Sequence, residues 1–176
     1  MLAVREGQIK SLGNLFERYH VQLYNFFLRQ TSDRQASEDL VQDVFYRMLK
    51  YCKTYRAEGK FTTWMFSIAH NAKIDHYRKK AKRDMMSELP DTLTDGAPDP
   101  EQQSEQNDEA QWIRKALDRL PEDKREAILL SRFQNLPYEE IGQILDCTVS
   151  AVKVRVHRGL KELARHYAEI TGMETP

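Results

Sequence analysis

The sequence predicts an all-α protein of two small helical domains joined by a flexible acidic linker. Three observations carry that expectation. Apolar side chains recur at spacings of three and four through most of the 176 residues, the repeat of one face of an amphipathic helix. The alternation of a half-buried strand persists nowhere. From about Met86 to Asn107 the chain has no period, holds Pro90, Pro98 and Pro100, and is rich in Asp, Glu, Gln, Ser and Thr. Such a stretch cannot bury enough surface to offset its ordering entropy, so it parts the helices into two groups.

Leu12, Leu15, Phe16, Tyr19, Leu23, Phe26 and Phe27 form the apolar stripe of a first long helix. Ser32 with Gln35 fits a capping box opening a second, whose stripe is Leu40, Val41, Val44, Phe45, Met48 and Leu49. A break around Arg56 to Lys60 contains Gly59. A third helix starts near Thr62, with Trp64, Ile68 and Ala72 on one face, and runs on into basic residues. Beyond the linker the pattern resumes with Trp112, Ala116, Leu117 and Leu120, and Pro121 interrupts it. A helix from about Glu122 to Phe133 follows, then a turn ending at Pro137. Tyr138 to Leu145 and Ser150 to Tyr167 complete the set.

The charges cancel, 27 basic against 27 acidic. That balance alone argues against a nucleic-acid binder, but the distribution reverses the argument. Lys73, Arg78, Lys79, Lys80, Lys82 and Arg83 face a single acid, Asp75, in their stretch; Asp84 to Glu109 holds no Lys or Arg; Lys153, Arg155, Arg158, Lys161 and Arg165 then dominate the last helix. Charge acts over about 8 Å at physiological salt, so two basic surfaces flanking an acidic strap can each meet a polyanion. No apolar run suits a membrane span, and Met1 to Lys10 lacks the apolar core of a signal peptide, which implies a cytoplasmic protein without membrane insertion. Cys52 and Cys147 have no second cysteine at metal-ligand spacing, and no metal or cofactor is expected.

The strongest local signal runs from Tyr138 to His157. Two helices that cross steeply need a small residue where they approach, and Gly142 supplies it. The turn needs a residue tolerant of a left-handed backbone, for which Asp146 serves. Ile141 and Leu145 face Val149, Val152 and Val156 at helical spacing, and Ser150 is a good helix cap. Lys153, Val154, His157, Arg158 and Lys161 then face solvent, where they could reach a major groove. On pattern alone, a plain helical hairpin with a solvated basic face stays open. In the first domain, Phe61 to Lys80 mixes aromatics, Asn71 and a growing basic run, the combination that single-stranded DNA requires for stacking and phosphate pairing. Trp64 is expected in the core.

The order of these segments resembles the extracytoplasmic-function (ECF) sigma factors of bacterial RNA polymerase, across about Leu12 to Tyr167. Ser37 to Phe45 resembles the helix that docks on the polymerase clamp. Phe61 to Arg83 resembles the helix that melts and reads the minus-ten element, with Trp64, Ile68-Ala69, Asn71, Asp75 and Arg78 as its distinctive spacing. Leu120 to Leu163 resembles the promoter-reading helix-turn-helix. The resemblance implies a sigma region two bundle over 1–84, an acidic linker over 85–108 and a sigma region four helix-turn-helix over 109–176. It implies that Glu38, Asp39, Gln42, Asp43 and Phe45 bind core polymerase. Lys60, Phe61, Asn71, Lys73, Asp75, Arg78, Lys79 and Lys80 would hold the minus-ten element, and Ser150, Lys153, Val154, Arg155, His157 and Arg158 would read the minus-thirty-five element. The implied partners are the clamp and flap of core polymerase, promoter DNA both as duplex and as non-template single strand, and an anti-sigma factor, with the free protein a monomer. Val154, Ala151 and Thr148 stand where many members carry Ser, Thr and Pro, which bears on the promoter sequence read.

Two rivals remain at this level. A stand-alone helix-turn-helix regulator accounts for the second domain but leaves the acidic helix and the Asn71–Arg78 segment without a role. An enzyme using His70, Asp75 and His76 fits poorly, because residues six apart project about 120° from one another on a helix, and no phosphate loop or nucleophile motif is present.

Overall fold

The computed structural model describes residues 1–86 and 106–172. Most of the linker expected over 85–108 lies outside the described residues. Eight α-helices occur there, and no strand among the described residues: α1 (Leu2–Arg5), α2 (Ser11–Thr31), α3 (Arg34–Lys50), α4 (Phe61–Met86), α5 (Gln106–Asp118), α6 (Glu122–Ile128), α7 (Tyr138–Ile144) and α8 (Val149–Thr171). The chain divides into two compact units, Met1–Phe27 with Asp33–Gly96 and Leu28–Ser32 with Ala97–Pro176.

In the first unit α3 packs along α4. Leu40, Val44 and Met48 of α3 are fully covered, as are Met65, Phe66, Ala69 and Ala72 of α4. Phe26 of α2 meets Phe66 edge-on, ring centroids 5.2 Å apart. Each such side chain contributes about 1.5–3 kcal/mol by leaving water. Asp33, not Ser32, caps α3, accepting from the Ala36 amide. Ser32 has φ 53 and occupies the left-handed turn before the cap, while Gln35 donates to Asp39 at 3.1 Å. The expected capping box is therefore replaced by a single Asp cap one residue on. The short helix α1, which the sequence pattern did not announce, buries Val4 and donates from Arg5 to the Tyr55 carbonyl at 3.1 Å.

In the second unit α8 is the central element, packed on α5, α6 and α7. Ala116, Leu117, Ile128, Ile141, Val152 and Val156 form its interior. The helix expected from Glu122 to Phe133 runs as α6 to Ile128 and then widens into a π-turn, Leu129–Phe133. Its last amides reach back five and six residues, Gln134 to Leu129 and Leu136 to Leu130, both at 3.1 Å, and Asn135 closes it with φ 53. Gly159 lets α8 lie against α6: a Cβ there would stand 2.8 Å from the Ile128 side chain.

Candidate nucleic-acid interface

The helix-turn-helix is built by backbone constraints that the residues match. A Cβ on Gly142 would lie 2.8 Å from the Cys147 carbonyl oxygen, and the Cys147 amide donates to the Gly142 carbonyl at 2.9 Å. Asp146 has φ 48, the left-handed conformation its short polar side chain tolerates. The cap of α8 is Thr148, whose hydroxyl accepts from the Ala151 amide at 3.1 Å. Ser150, expected as the cap, lies in the first turn and faces solvent. The helix starts one residue earlier than its pattern suggested because Thr148 directly follows the Asp146-Cys147 turn.

With Val152 and Val156 buried, the opposite side of α8 exposes Ser150, Lys153, Val154, His157, Arg158 and Lys161. These positions recur at three and four, so they form one stripe. Arg155 departs from the expected set. Its guanidinium turns inward, 3.4 Å from the Asp123 carboxylate and 3.5 Å from the Cys147 sulfur. It braces α6 and the turn.

In the first unit α4 has two unlike sides. Asn71, Arg78, Lys79 and Lys80 are exposed on one side, and Lys60 is exposed just before the helix. Asn71 donates to the Ser67 carbonyl at 3.0 Å, which orients its amide along the helix. Lys73 lies on the other side, 1% exposed. It stands seven residues after Phe66 and four after Ala69, so the helical period carries it into the apolar stripe and away from any phosphate. Phe61 is half-buried in an aromatic cluster, with Tyr19 at 5.0 Å, Tyr55 at 6.2 Å and Trp64 at 6.2 Å between ring centroids. Trp64, expected in the core, is half-buried and sits 5.1 Å from Tyr55.

On α3, Glu38, Asp39 and Gln42 are exposed, and Tyr46 extends their side of the helix with 64% exposure. Phe45 is buried, 5.0 Å from Phe16 between centroids. It belongs to the same stripe as Val41 and Val44, which turns it into the core and away from Glu38, Asp39 and Gln42. Asp43 is half-buried and ion-paired to Arg47, Nε to Oδ2 2.9 Å. The same guanidinium reaches Asp75 of α4, Nη1 to Oδ2 2.8 Å. Burial lowers the Arg47 pKa, but the hydrogen bonds to both carboxylates outweigh that and hold it above the ordinary value. Asp75 is thus engaged within the unit through one carboxylate oxygen, while its side chain stays 41% exposed. Arg47 had a local signal, the Asp43–Arg47 spacing of four, but its reach to α4 is a tertiary fact.

Comparison with known proteins agrees with this geometry. Residues 15–83 match the family described as Sigma-70 region 2, and residues 110–163 match Sigma-70, region 4. The chain is 32% identical over 157 residues to the ECF RNA polymerase sigma factor SigX of Bacillus subtilis, covering 86% of this chain and 81% of SigX. It is 30% identical over 159 residues to the RNA polymerase sigma factor YlaC of the same species, covering 89% and 91%. Among solved structures, the sigma factor RpoE of Bartonella quintana, determined in complex with the anti-sigma factor NepR, has the same fold, with TM-score 0.75, 24% identity, and coverage of 89% and 96%. The chain belongs to the extracytoplasmic-function subfamily of bacterial RNA polymerase sigma factors. It is a promoter-specific initiation factor of the kind that binds RNA polymerase, and proteins of this class are not themselves catalysts.

Proposed function

We propose that α3 docks on the clamp of core polymerase, that α4 holds the non-template strand of the opened minus-ten element, and that α8 enters the major groove of the minus-thirty-five element. The observation that carries this reading is the sidedness of α8, with Val152 and Val156 in the core and a polar, basic stripe opposite, together with the exposed basic end of α4 from Arg78 to Arg83. Glu38, Asp39 and Gln42 meet the polymerase, and Tyr46 adds apolar contact beside them. Arg78, Lys79, Lys80 and Lys60 neutralise phosphates, while Asn71 offers an amide to a base edge. A base extruded from the stack costs a few kcal/mol, and the Tyr55–Phe61–Trp64 cluster gives the Arg56–Lys60 loop a firm base from which to hold it. Ser150, Lys153, Val154, His157 and Arg158 read the duplex. The functional segments are 1–84, 85–108 and 109–176.

The chain has no catalytic site of its own in this reading; polymerase does the chemistry in the cytoplasm. No described helix is long and apolar enough to cross a membrane. RpoE was solved in complex with the anti-sigma factor NepR, and a second structure of similar fold, CnrH, was solved in complex with the cytosolic domain of CnrY, at TM-score 0.70 and 21% identity. By analogy an anti-sigma factor covers the α3 and α8 surfaces of this monomer and withholds them from polymerase and DNA.

The test is co-elution of the purified chain with sigma-free core polymerase, repeated with Asp39→Arg and Gln42→Arg together. Co-elution that the double variant loses, with helical content kept, supports docking through α3. A folded wild-type chain that never co-elutes with active core yet binds duplex DNA is instead a stand-alone regulator.

A further inference from the structure

Four charged side chains of alternating sign run across the first unit, from α3 to the start of the basic end of α4. Asp43 accepts from Arg47 at 2.9 Å, Arg47 donates to Asp75 at 2.8 Å, and Asp75 stands 3.9 Å from Arg78. Asp43 is on the helix assigned to polymerase docking, and Arg78 is among the residues assigned to phosphates. Arg47 is the least exposed of the four side chains at 18%, against 37% for Asp43, 41% for Asp75 and 78% for Arg78. A guanidinium can grip two carboxylates at once because its donors form a rigid fork.

We infer that Arg47 is a positioning residue for promoter opening: it fixes Asp75, and through Asp75 the register and tilt of the basic end of α4 relative to the docked helix α3. Arg47 itself touches neither polymerase nor DNA. Asp75 has one carboxylate oxygen taken by Arg47 and turns the other toward Arg78, so it orients a phosphate-binding cation instead of reading a base. This inference rests on the proposed roles of α3 and α4. It adds to them a link of fixed geometry, so that force or order imposed on α3 by docking is delivered to α4.

The experiment uses holoenzyme reconstituted from core polymerase and the full chain, with a promoter template selected from a random library by the wild-type holoenzyme. Two forms of that template are compared, fully duplex and pre-opened across the minus-ten region, with core co-elution measured alongside. Arg47→Met is expected to co-elute with core as wild type does. On duplex template it opens about tenfold more slowly, the effect of losing a partly buried charge pair. The pre-opened template restores it to within about threefold of wild type. Arg47→Lys regains part of the rate, and Arg47→Met combined with Asp75→Asn is no slower than Arg47→Met alone. Three results overturn the inference: wild-type opening by Arg47→Met, losses that add in the double variant, or equal losses on both templates in parallel with weakened co-elution. Should Arg47→Met melt before assay temperature, Arg47→Lys and Asp75→Asn decide by the same template comparison. A wild-type chain that binds no core overturns the proposed function itself, an outcome distinct from all of these.

Discussion

Gly142 and Gly159 both sit inside helices of the second unit, yet their environments differ in a way that predicts unequal costs. Alanine gains about 1 kcal/mol over glycine in a helix interior. At Gly142 the added carbon would lie 2.8 Å from a backbone oxygen, that of Cys147, and the turn cannot give way without moving α8. Overpacking of that kind costs about 1–3 kcal/mol, so Gly142→Ala is expected to destabilise the second unit by about 1–2 kcal/mol and to weaken duplex binding. At Gly159 the nearest atom is the end of the flexible Ile128 side chain at 2.8 Å, with the Lys124 Cβ next at 3.2 Å, so Gly159→Ala should cost less than Gly142→Ala. Thermal melts of the two variants check the contrast. The caps give a second residue-scale prediction. Thr148→Ala removes the hydroxyl that holds the Ala151 amide and should cost about 1 kcal/mol, whereas Ser150→Ala should leave stability within about 0.5 kcal/mol of wild type. Equal effects in the same denaturation assay would refute the assignment of Thr148 as cap.

Helix packing in the second unit is pinned by an ion pair as well as by apolar contact. Lys124 of α6 donates to Glu162 of α8 at 2.6 Å. That hydrogen bond holds the Glu162 carboxyl below its ordinary pKa. A depressed folded-state pKa stabilises the protein above the unfolded carboxylate's value, and the gain is lost as pH falls through the folded value. Lys124→Met should therefore melt below wild type at neutral pH, with the gap closing as the pH falls below the ordinary carboxylate range. A gap constant across that range would mean that Lys124 acts by packing alone. At this scale most helices were legible in the sequence, because long apolar stripes repeat many times before they end. α2, α3, α4, α7 and α8 lie close to where the stripes place them. The short α1 and the π-turn after Ile128 were not legible. Four residues make too brief a repeat, and a π-turn depends on how Leu129 and Leu130 pack, which no linear period records.

Across the whole molecule the charges sum to zero, but DNA meets the exposed basic stripes and not the sum. Binding to a duplex promoter should fall steeply with salt, since each phosphate contact displaces counterions. Arg158→Ala should lower the slope of log affinity against log salt by about 0.9. Arg155→Ala, whose guanidinium is spent on Asp123 and Cys147, should leave that slope unchanged while lowering the melting temperature. A slope that drops equally in both would return Arg155 to the DNA-facing set.

The sequence by itself determined the helical class, the position of the helix-turn-helix with its Gly142 and Asp146, and the segregation of basic residues onto particular helices. These are local properties, set by repeats of three and four and by backbone conformations that only certain residues adopt. Tertiary structure decided which charges are available. Lys73, Asp75, Arg155 and Phe45 all look like interface residues in one dimension, but Lys73 and Phe45 are drawn into apolar stripes and Asp75 and Arg155 into ion pairs with partners far along the chain. Burial and pairing depend on which faces of separate helices meet, and that is fixed only when the whole unit packs.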